Sequence, residues 1–206
     1  MTIKLLHIDS SILGPQSVSR ELSAAVVERF KARHPQAEVT YRDLAAAPLS
    51  HLTGSAFLAM RTQQAPDDPA VRAELAAGAA VLDEFLAADV IVLGVAFYNF
   101  SVASQLKAWI DRIAVAGKTF RYTAHGVEGL AGGKRVILTV ARGGFYGEGS
   151  PVASFEHAAS YLRSVFTFAG ITDIDVISAD GLAVSEEKRA AAICLARLDI
   201  DNLALI

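Results

Sequence analysis

Residues 3–34 read IKLLHIDSSILGPQSVSRELSAAVVERFKARH. The first part, Ile3–Ile8, is a short aliphatic run with the length of a buried strand. The last part, Ser19–His34, repeats apolar residues at helical spacing and so gathers them on one face: Leu22, Val26, Val27 and Phe30. A strand, a serine-rich loop and an amphipathic helix in this order predict the first half of a βαβ unit.

The same alternation continues to the end of the chain. Four more aliphatic runs predict strands: Val39–Tyr41, Val90–Val95, Arg135–Val140 and Asp175–Ser178. Four more segments have helical spacing: Ala70–Ala87, Ala103–Val115, Ser154–Phe168 and Glu186–Leu205. Five strands that alternate with five helices predict an α/β fold, a doubly wound parallel sheet with helices on both faces.

Composition limits the classes of protein that the chain can be. Its 206 residues suit a single domain, 1–206, and 52% hydrophobic against 20% charged residues predicts a folded chain. The net charge is -3, from 19 Lys+Arg and 22 Asp+Glu, so no basic face is expected and nucleic acid is not predicted as a partner.

Cysteine usage and hydropathy predict a cytoplasmic protein that does not insert into a membrane. Cys194 is the only cysteine, which excludes an intramolecular disulfide and a CxxC metal site. The apolar run at the N-terminus is shorter than that of a signal peptide, and no run approaches the ~18 apolar residues of a membrane span. The five histidines are scattered without i, i+4 pairing, so no metal site is predicted.

The stretch Pro48–Pro69 departs from the alternation. It contains prolines and a glycine, yet it also has apolar residues in a short helical pattern: Leu52, Phe57, Leu58 and Met60. A long surface excursion with such residues needs a partner surface. Two interpretations stay open, a dimer mate and a lid that folds onto its own subunit.

In an open α/β sheet, ligands bind at the carboxyl ends of the strands where strand order reverses. This rule selects three loops: 9–19, 96–102 and 141–150. The first has serines at 10, 11, 17 and 19, just ahead of a helix. Their hydroxyls, the free backbone N–H groups and the helix dipole favour a phosphate. Ordinary N-capping by Ser17 or Ser19 is the alternative.

The first loop also lacks two well-known phosphate-binding motifs. It has no G-x-G-x-x-G, which removes the main support for a dinucleotide-binding fold, and no G-x-x-x-x-G-K-[ST], which excludes a P-loop NTPase. A phosphate held by hydroxyl groups indicates a mononucleotide such as FMN.

The other two loops suit the flavin ring. Ala96-Phe97-Tyr98-Asn99-Phe100-Ser101 could give a flat apolar wall with polar contacts at its edge, although aromatics packed over the sheet edge are the alternative. In Ala141-Arg142-Gly143-Gly144, the glycines let backbone N–H groups approach a planar ring. Positive charge near the pyrimidine edge would stabilise the reduced ring, but Arg142 could equally lie on the surface.

These motifs, with Ala116-Gly117-Lys118-Thr119-Phe120-Arg121-Tyr122-Thr123 as the most specific, resemble those of the FMN-dependent NADH:azoreductases and NAD(P)H:quinone reductases over essentially the full length. The resemblance implies a flavodoxin-like sheet of strand order 2-1-3-4-5 and a homodimer with FMN near the subunit interface. It also implies ping-pong hydride transfer from NADH or NADPH, through FMN, to quinones and azo compounds.

Site roles follow from the resemblance position by position. It implies that the FMN phosphate is held by Ser11, Ser17, Val18 and Ser19. It implies further that the ring and ribityl chain lie against Phe97, Tyr98, Asn99 and Phe100, and the pyrimidine edge against Ala141, Arg142, Gly143 and Gly144. No catalytic residue is demanded because the cofactor performs the hydride chemistry. Tyr122 and Phe166 are candidates for stacking on the acceptor, with core packing as the alternative for Phe166.

The chain departs from the family pattern at three places. Ala96 stands where a proline is usual before the aromatic motif, and Ala141 where a serine often precedes Arg-Gly-Gly. A histidine that often follows the two glycines is absent, and Phe145 or Tyr146 is expected in its place. The prediction of quinones and azo compounds as acceptors therefore rests on the resemblance alone, whereas the prediction of an FMN site also rests on the three loops.

Two other functions fit parts of the sequence. Asp9-Ser10 after the first strand suits the nucleophile of an SGNH-type esterase, but the last histidine is His157 and no Asp-x-x-His follows it. A flavodoxin-like electron carrier is the second alternative, although a net charge of -3 gives weak electrostatic steering toward a protein partner.

Overall fold

The computed structural model describes residues 2–62 and 64–205. Within them the strands are β1 Lys4–Asp9, β2 Glu38–Asp43, β3 Val90–Tyr98, β4 Ser101–Val102, β5 Phe120–Thr123, β6 Gly126–Gly129, β7 Arg135–Ala141 and β8 Asp173–Ala179. The α-helices are α1 Val18–Arg33, α2 Gly54–Thr62, α3 Pro69–Ala87, α4 Ser104–Ile113, α5 Ala159–Phe168 and α6 Glu186–Asn202. None of these helices combines the length and the apolar character that crossing a membrane requires.

The central sheet runs β2-β1-β3-β7-β8, with all neighbours parallel. This confirms the predicted flavodoxin-like order 2-1-3-4-5, since β7 and β8 are the fourth and fifth long strands. The short β4 pairs antiparallel with the end of β3, and β5 and β6 form a separate hairpin. Asp9 lies opposite Gly94, and Ala96 opposite Ala141, so the three loops selected from the sequence begin side by side.

Alternate residues of the strands point to two cores, one on each face of the sheet. On one face Leu93 and Leu138 pack with α3, α4 and α5, where Phe85, Trp109 and Phe166 are buried. On the other face, residues such as Val92 and Ile137 pack with α1 and α6. Burial on both faces explains why the central strands β3 and β7 are continuous apolar runs in the sequence, whereas the edge strand β2 is largely exposed.

The helix predicted over Ser154–Phe168 begins later, at Ala159. The carboxylate of Glu156 accepts hydrogen bonds from the backbone N–H groups of Ala158 and Ala159 (3.1 and 2.9 Å) and of Ser160 (3.2 Å). These bonds cap α5 and separate it from a short 3-10 turn at 153–155. Phe155 is therefore not on the face of α5.

The excursion Pro48–Pro69 contains α2, which agrees with its short helical pattern. Ala56 is fully buried, whereas Phe57 and Leu58 are exposed. The segment before α2 is attached to the rest of the subunit because the buried Arg112 donates to the Ser50 carbonyl (3.0 Å) and pairs with Glu74 (2.8 Å). Part of the excursion thus folds onto its own subunit, while an apolar part of α2 faces outward.

Candidate functional site

The first loop leads into the N-terminus of α1. A 3-10 turn at Gly14–Gln16, with Gly14 at φ +53°, brings Ser17 to the N-cap position. The Ser17 hydroxyl accepts from the Arg20 N–H (3.4 Å) and lies 3.0 Å from the Ser19 hydroxyl. The two buried hydroxyls and the first free N–H groups of α1 provide hydrogen-bond donors and a positive partial charge at one point.

Arg20 holds this loop in place from behind. Its guanidinium donates twice to the carbonyl of Ser11 (2.8 and 3.2 Å) and forms a two-point ion pair with Asp43 at 2.6 Å. The hydrogen bond from Arg20 lowers the pKa of Asp43 to about 2, although burial alone would raise it. Because this charge is fully paired, Arg20 acts on the loop through the backbone of Ser11 and not through a ligand.

A buried polar group under the loop anchors β1 to α1. The carboxylate of Asp9 accepts from the hydroxyls of Ser23 (2.8 Å) and Tyr41 (3.0 Å), and His7 Nε2 lies 2.9 Å from the Ser23 hydroxyl. Burial, and then the charge of Asp9, raises the pKa of Tyr41 to about 12. A Cβ at Gly94 would come within 2.1 Å of the Asp9 carboxylate, so this position of β3 has room only for glycine.

The second loop turns sharply between β3 and β4. Asn99 and Phe100 both have positive φ, +48° and +73°. Asn adopts this conformation readily, but a bulky residue such as Phe100 does so at a cost in free energy, which is typical of functional turns. The Tyr98 hydroxyl lies 3.1 Å from that of Ser11 and so joins the second loop to the first.

The third loop places the side chain of Arg142 inside the protein. The residue is only 4% exposed, and its guanidinium pairs with Asp180 (3.0 Å) and Glu156 (3.2 Å). Burial would raise the pKa of Glu156, but hydrogen bonds from Ala159 and Ser160 and the charge of Arg142 lower it overall. Arg142 therefore connects the third loop to α5 and β8 through its side chain. Its backbone is also engaged, since its N–H donates to the Ala179 carbonyl (2.9 Å) and its carbonyl accepts from the Leu182 N–H (3.1 Å).

Tyr146, not Phe145, faces the aromatic residues of the second loop. Its ring lies 4.7 Å from that of Phe97 and 6.2 Å from that of Phe100. Phe145 points the other way, toward Gly181, and has the Lys188 ammonium 5.7 Å from its ring centroid. Of the two residues expected in the place of the absent histidine, Tyr146 is the one that contacts the second loop.

The three loops surround a half-open cleft of about 280 Å³. Eight of the predicted cofactor residues line it: Ser11, Ser17, Val18, Ser19, Phe97, Tyr98, Ala141 and Gly143. Asn99, Phe100, Arg142 and Gly144 lie in the same loops but not in the lining. Six lining residues were not among the predicted cofactor residues, namely Leu13, Gln16, Ala96, Leu182, Ala183 and Arg189. The last three come from the loop after β8 and the start of α6, which carries no recognisable motif.

The donor set of the cleft fits FMN. Hydroxyls and helix N–H groups lie at the α1 end, where a phosphate would be stabilised. Phe97 and Tyr98 supply aromatic surface, and the loop of Ala141 and Gly143 supplies backbone groups without large side chains. Ala96 and Ala141 both line the cleft, so neither departure from the family pattern closes it.

The two predicted acceptor-stacking residues have different environments. Tyr122 is 74% exposed on the β5–β6 hairpin. Phe166 is fully buried and stacks on Phe85 with ring centroids 6.5 Å apart. The burial of its ring favours the alternative given for Phe166, core packing, and its contact with an acceptor stays a prediction.

The residues proposed for the esterase alternative do not form a nucleophilic site. Ser10 is fully buried and its hydroxyl donates to the carbonyl of Gly94 (2.8 Å).

Among residues 2–62 and 64–205, no three His, Cys, Asp or Glu side chains are grouped so that they could hold a metal ion.

Comparison with known proteins gives concordant matches. A family model described as "Flavodoxin-like fold" matches residues 3–203. A Xanthomonas campestris pv. campestris protein named FMN-dependent NADH:quinone oxidoreductase is 54% identical over 202 residues, 98% of this chain and 99% of the relative. A Gluconobacter oxydans protein of the same name is 59% identical over 184 residues, 89% of this chain and 91% of the relative.

Solved structures agree with these relatives. An azoreductase from Bacillus anthracis str. Sterne has a TM-score of 0.86 and 29% identity, and the match covers 98% of this chain and 100% of that one. An FMN-dependent NADH-azoreductase from Bacillus anthracis str. Ames Ancestor, in complex with FMN, has a TM-score of 0.85 and 25% identity over the full length of both chains.

Proposed function

The chain belongs to the flavodoxin-like fold family, and on that basis we propose that it is an FMN-dependent NADH:quinone oxidoreductase that also reduces azo compounds. The observation that carries the proposal is the cleft, in which the hydroxyls of Ser17 and Ser19 meet the N-terminus of α1 beside the aromatic rings of Phe97 and Tyr98. Relatives at 54–59% identity are named for this activity.

The chain would hold FMN as one domain, 1–206, through all three loops. Ser11 and Ser17–Ser19 would bind the phosphate, Phe97–Phe100 would border the ring and ribityl chain, and the backbone of 141–144 would meet the pyrimidine edge. Bound FMN supplies the ability to accept a hydride and to pass it on. The residues bind and orient the cofactor and exclude water from one side of it.

Donor and acceptor would use the same open side of the cleft in turn, which is a ping-pong order. NADH is the donor in the names of the relatives, and it is an intracellular metabolite, so a cytoplasmic location fits the proposal. Phe100 and Tyr122 are exposed aromatic residues on which a flat quinone or azo compound could stack.

The functional unit that we propose is a homodimer. Exposed apolar residues cluster on α2 and on the β5–β6 hairpin, including Phe57, Leu58, Tyr122 and Val127. Exposed apolar surface of this kind is stabilised when a second copy covers it. Sedimentation velocity of the holoprotein at several concentrations would measure the oligomeric state directly.

The cofactor assignment is tested by an absorbance spectrum and by turnover. We expect the purified protein to be yellow, or to take up added FMN, and to oxidise NADH rapidly only when a benzoquinone or an azo dye is present. An electron carrier would behave differently. It would oxidise NADH equally slowly with and without a small acceptor, and it would pass electrons only to another protein. A colourless protein that does not take up FMN would overturn the proposal.

Two serines that both cap helices offer a matched comparison. Ser17 caps α1 and lines the cleft, whereas Ser185 caps α6, accepting from the Lys188 N–H at 3.2 Å, and does not line it. Each alanine variant should lose about 1 kcal/mol of stability from the missing cap. Only Ser17→Ala should weaken FMN binding, and equal effects of the two variants would contradict the phosphate site.

A further inference from the structure

Helix α6 extends beyond the start of its neighbour α1, toward the cleft. The two helices pack on the same face of the sheet, and Arg197 of α6 pairs with Glu21 in the first turn of α1 (2.8 Å). Arg189 precedes Arg197 by eight residues, which is about 12 Å along a helix. The first turn of α6 therefore lies past the N-terminus of α1, and Arg189 lines the same cleft as Ser17–Ser19.

Arg189 is the charged residue of that lining. The remaining lining residues are serines, aromatic or aliphatic residues, one glutamine and one glycine. Across the ranges 2–62 and 64–205, Arg189 forms no ion pair and no side-chain hydrogen bond. Arg189 is thus a half-buried cation, and its guanidinium donors are not used by the other residues that the structure describes.

The other cations near the loops are already engaged. Arg20 is paired with Asp43, and Arg142 with Asp180 and Glu156. Lys188, next to Arg189, lies over the ring of Phe145 and lines a separate groove. Without Arg189, only neutral hydroxyls and helix N–H groups would be available to bind a phosphate dianion. A guanidinium adds a positive charge and can pair with the phosphate through two hydrogen bonds.

We propose that Arg189 is a further cofactor-binding residue, which pairs with the FMN phosphate from the α6 side of the cleft. The inference rests on the proposed function. It assigns to α6 a direct part in selecting phosphorylated flavin over riboflavin, which has the same ring and ribityl chain but no phosphate. Arg142, although it is adjacent to the two glycines, has no such role for its side chain.

The test measures dissociation constants of the apoprotein for FMN and for riboflavin, by quenching of flavin fluorescence. Arg189→Gln should raise the dissociation constant for FMN roughly tenfold to a hundredfold, the range expected for loss of charge-assisted hydrogen bonds. The constant for riboflavin should not change. Arg189→Lys should restore part of the FMN affinity, and raising the salt concentration should weaken FMN binding less in Arg189→Gln than in the unchanged protein.

Lys188→Gln is the matched control, since it removes the same charge from the adjacent position but faces the other groove. It should leave the FMN-to-riboflavin ratio unchanged, and circular dichroism should show all variants folded. If Arg189→Gln binds FMN as tightly as the unchanged protein, or loses both flavins equally, the inference is wrong while the proposed function stands. If the unchanged protein binds neither flavin, both are wrong.

Discussion

Replacing Asp43 by asparagine should destabilise the protein at neutral pH and have a smaller effect in acid. Asp43 accepts two hydrogen bonds of 2.6 Å from Arg20, which in turn holds the Ser11 carbonyl of the first loop. Asparagine keeps the size of the side chain and can still accept the N–H groups of Ala45 and Ala46, but it has no charge. The substitution therefore isolates the ion pair.

The magnitude follows from the pKa. Hydrogen bonding to Arg20 lowers the pKa of Asp43 from 3.8 to about 2, with burial acting in the opposite direction. One pKa unit corresponds to about 1.4 kcal/mol, so the ionised Asp43 side chain, which is 23% exposed, contributes about 2 kcal/mol at pH 7. Because the folded pKa lies below the unfolded one, this contribution is complete above about pH 5 and is lost as pH falls toward 2; about half remains at pH 3.

Urea unfolding at pH 7 and at pH 3 would measure the effect. We expect Asp43→Asn to be less stable by about 2 kcal/mol at pH 7 and by about 1 kcal/mol at pH 3. Asp173→Asn is a suitable control, since that carboxylate is 63% exposed and lies 3.9 Å from Arg135. If Asp43→Asn lost the same free energy of unfolding at pH 7 and at pH 3, the loss could not be assigned to the ion pair between Asp43 and Arg20. FMN binding should also weaken in Asp43→Asn, because Arg20 is then less firmly held against Ser11.

Two further substitutions test the packing around the site. Gly94→Ala would place a Cβ 2.1 Å from the Asp9 carboxylate, so we expect a loss of about 1–3 kcal/mol or more in urea unfolding, and unchanged stability would show that β3 can shift. Phe166→Ala should cost about 3–5 kcal/mol in the same measurement because it empties a core position. If Phe166→Ala instead kept its stability and lost only its affinity for the acceptor, the result would support stacking of Phe166 on the acceptor.

The central strands of the sheet could be predicted from sequence because they are buried on both faces. Runs such as Val90–Val95 and Arg135–Val140 read as continuous apolar segments, and the topological rule then selected the loops that border the cleft. The start of α5 could not be predicted in the same way. It depends on the cap by Glu156, whose carboxylate is also held by Arg142, a residue from a different strand end.

Side-chain direction was the part of the site that sequence could not supply. Arg142 is adjacent to Gly143 in the chain, which suggests a positive charge at the cofactor, but Asp180 is 38 residues away and pulls the guanidinium inward. Gly94 and Asp9 are likewise far apart in sequence, and only the pairing of β1 with β3 shows why glycine is required there. Such constraints arise between elements and leave no local pattern.

Three arginines near the cleft illustrate how charge is divided between structure and ligand. A guanidinium that is buried with carboxylates, like Arg20 or Arg142, has its charge neutralised and its direction fixed, so it can position a loop but adds little attraction for an anion. A guanidinium that lines the cleft without a carboxylate among the described residues, like Arg189, keeps its charge for a ligand. Electrostatic attraction for the FMN phosphate should therefore depend on α6, which has no recognisable cofactor-binding motif in the sequence. The loops that have such motifs should determine the shape of the site.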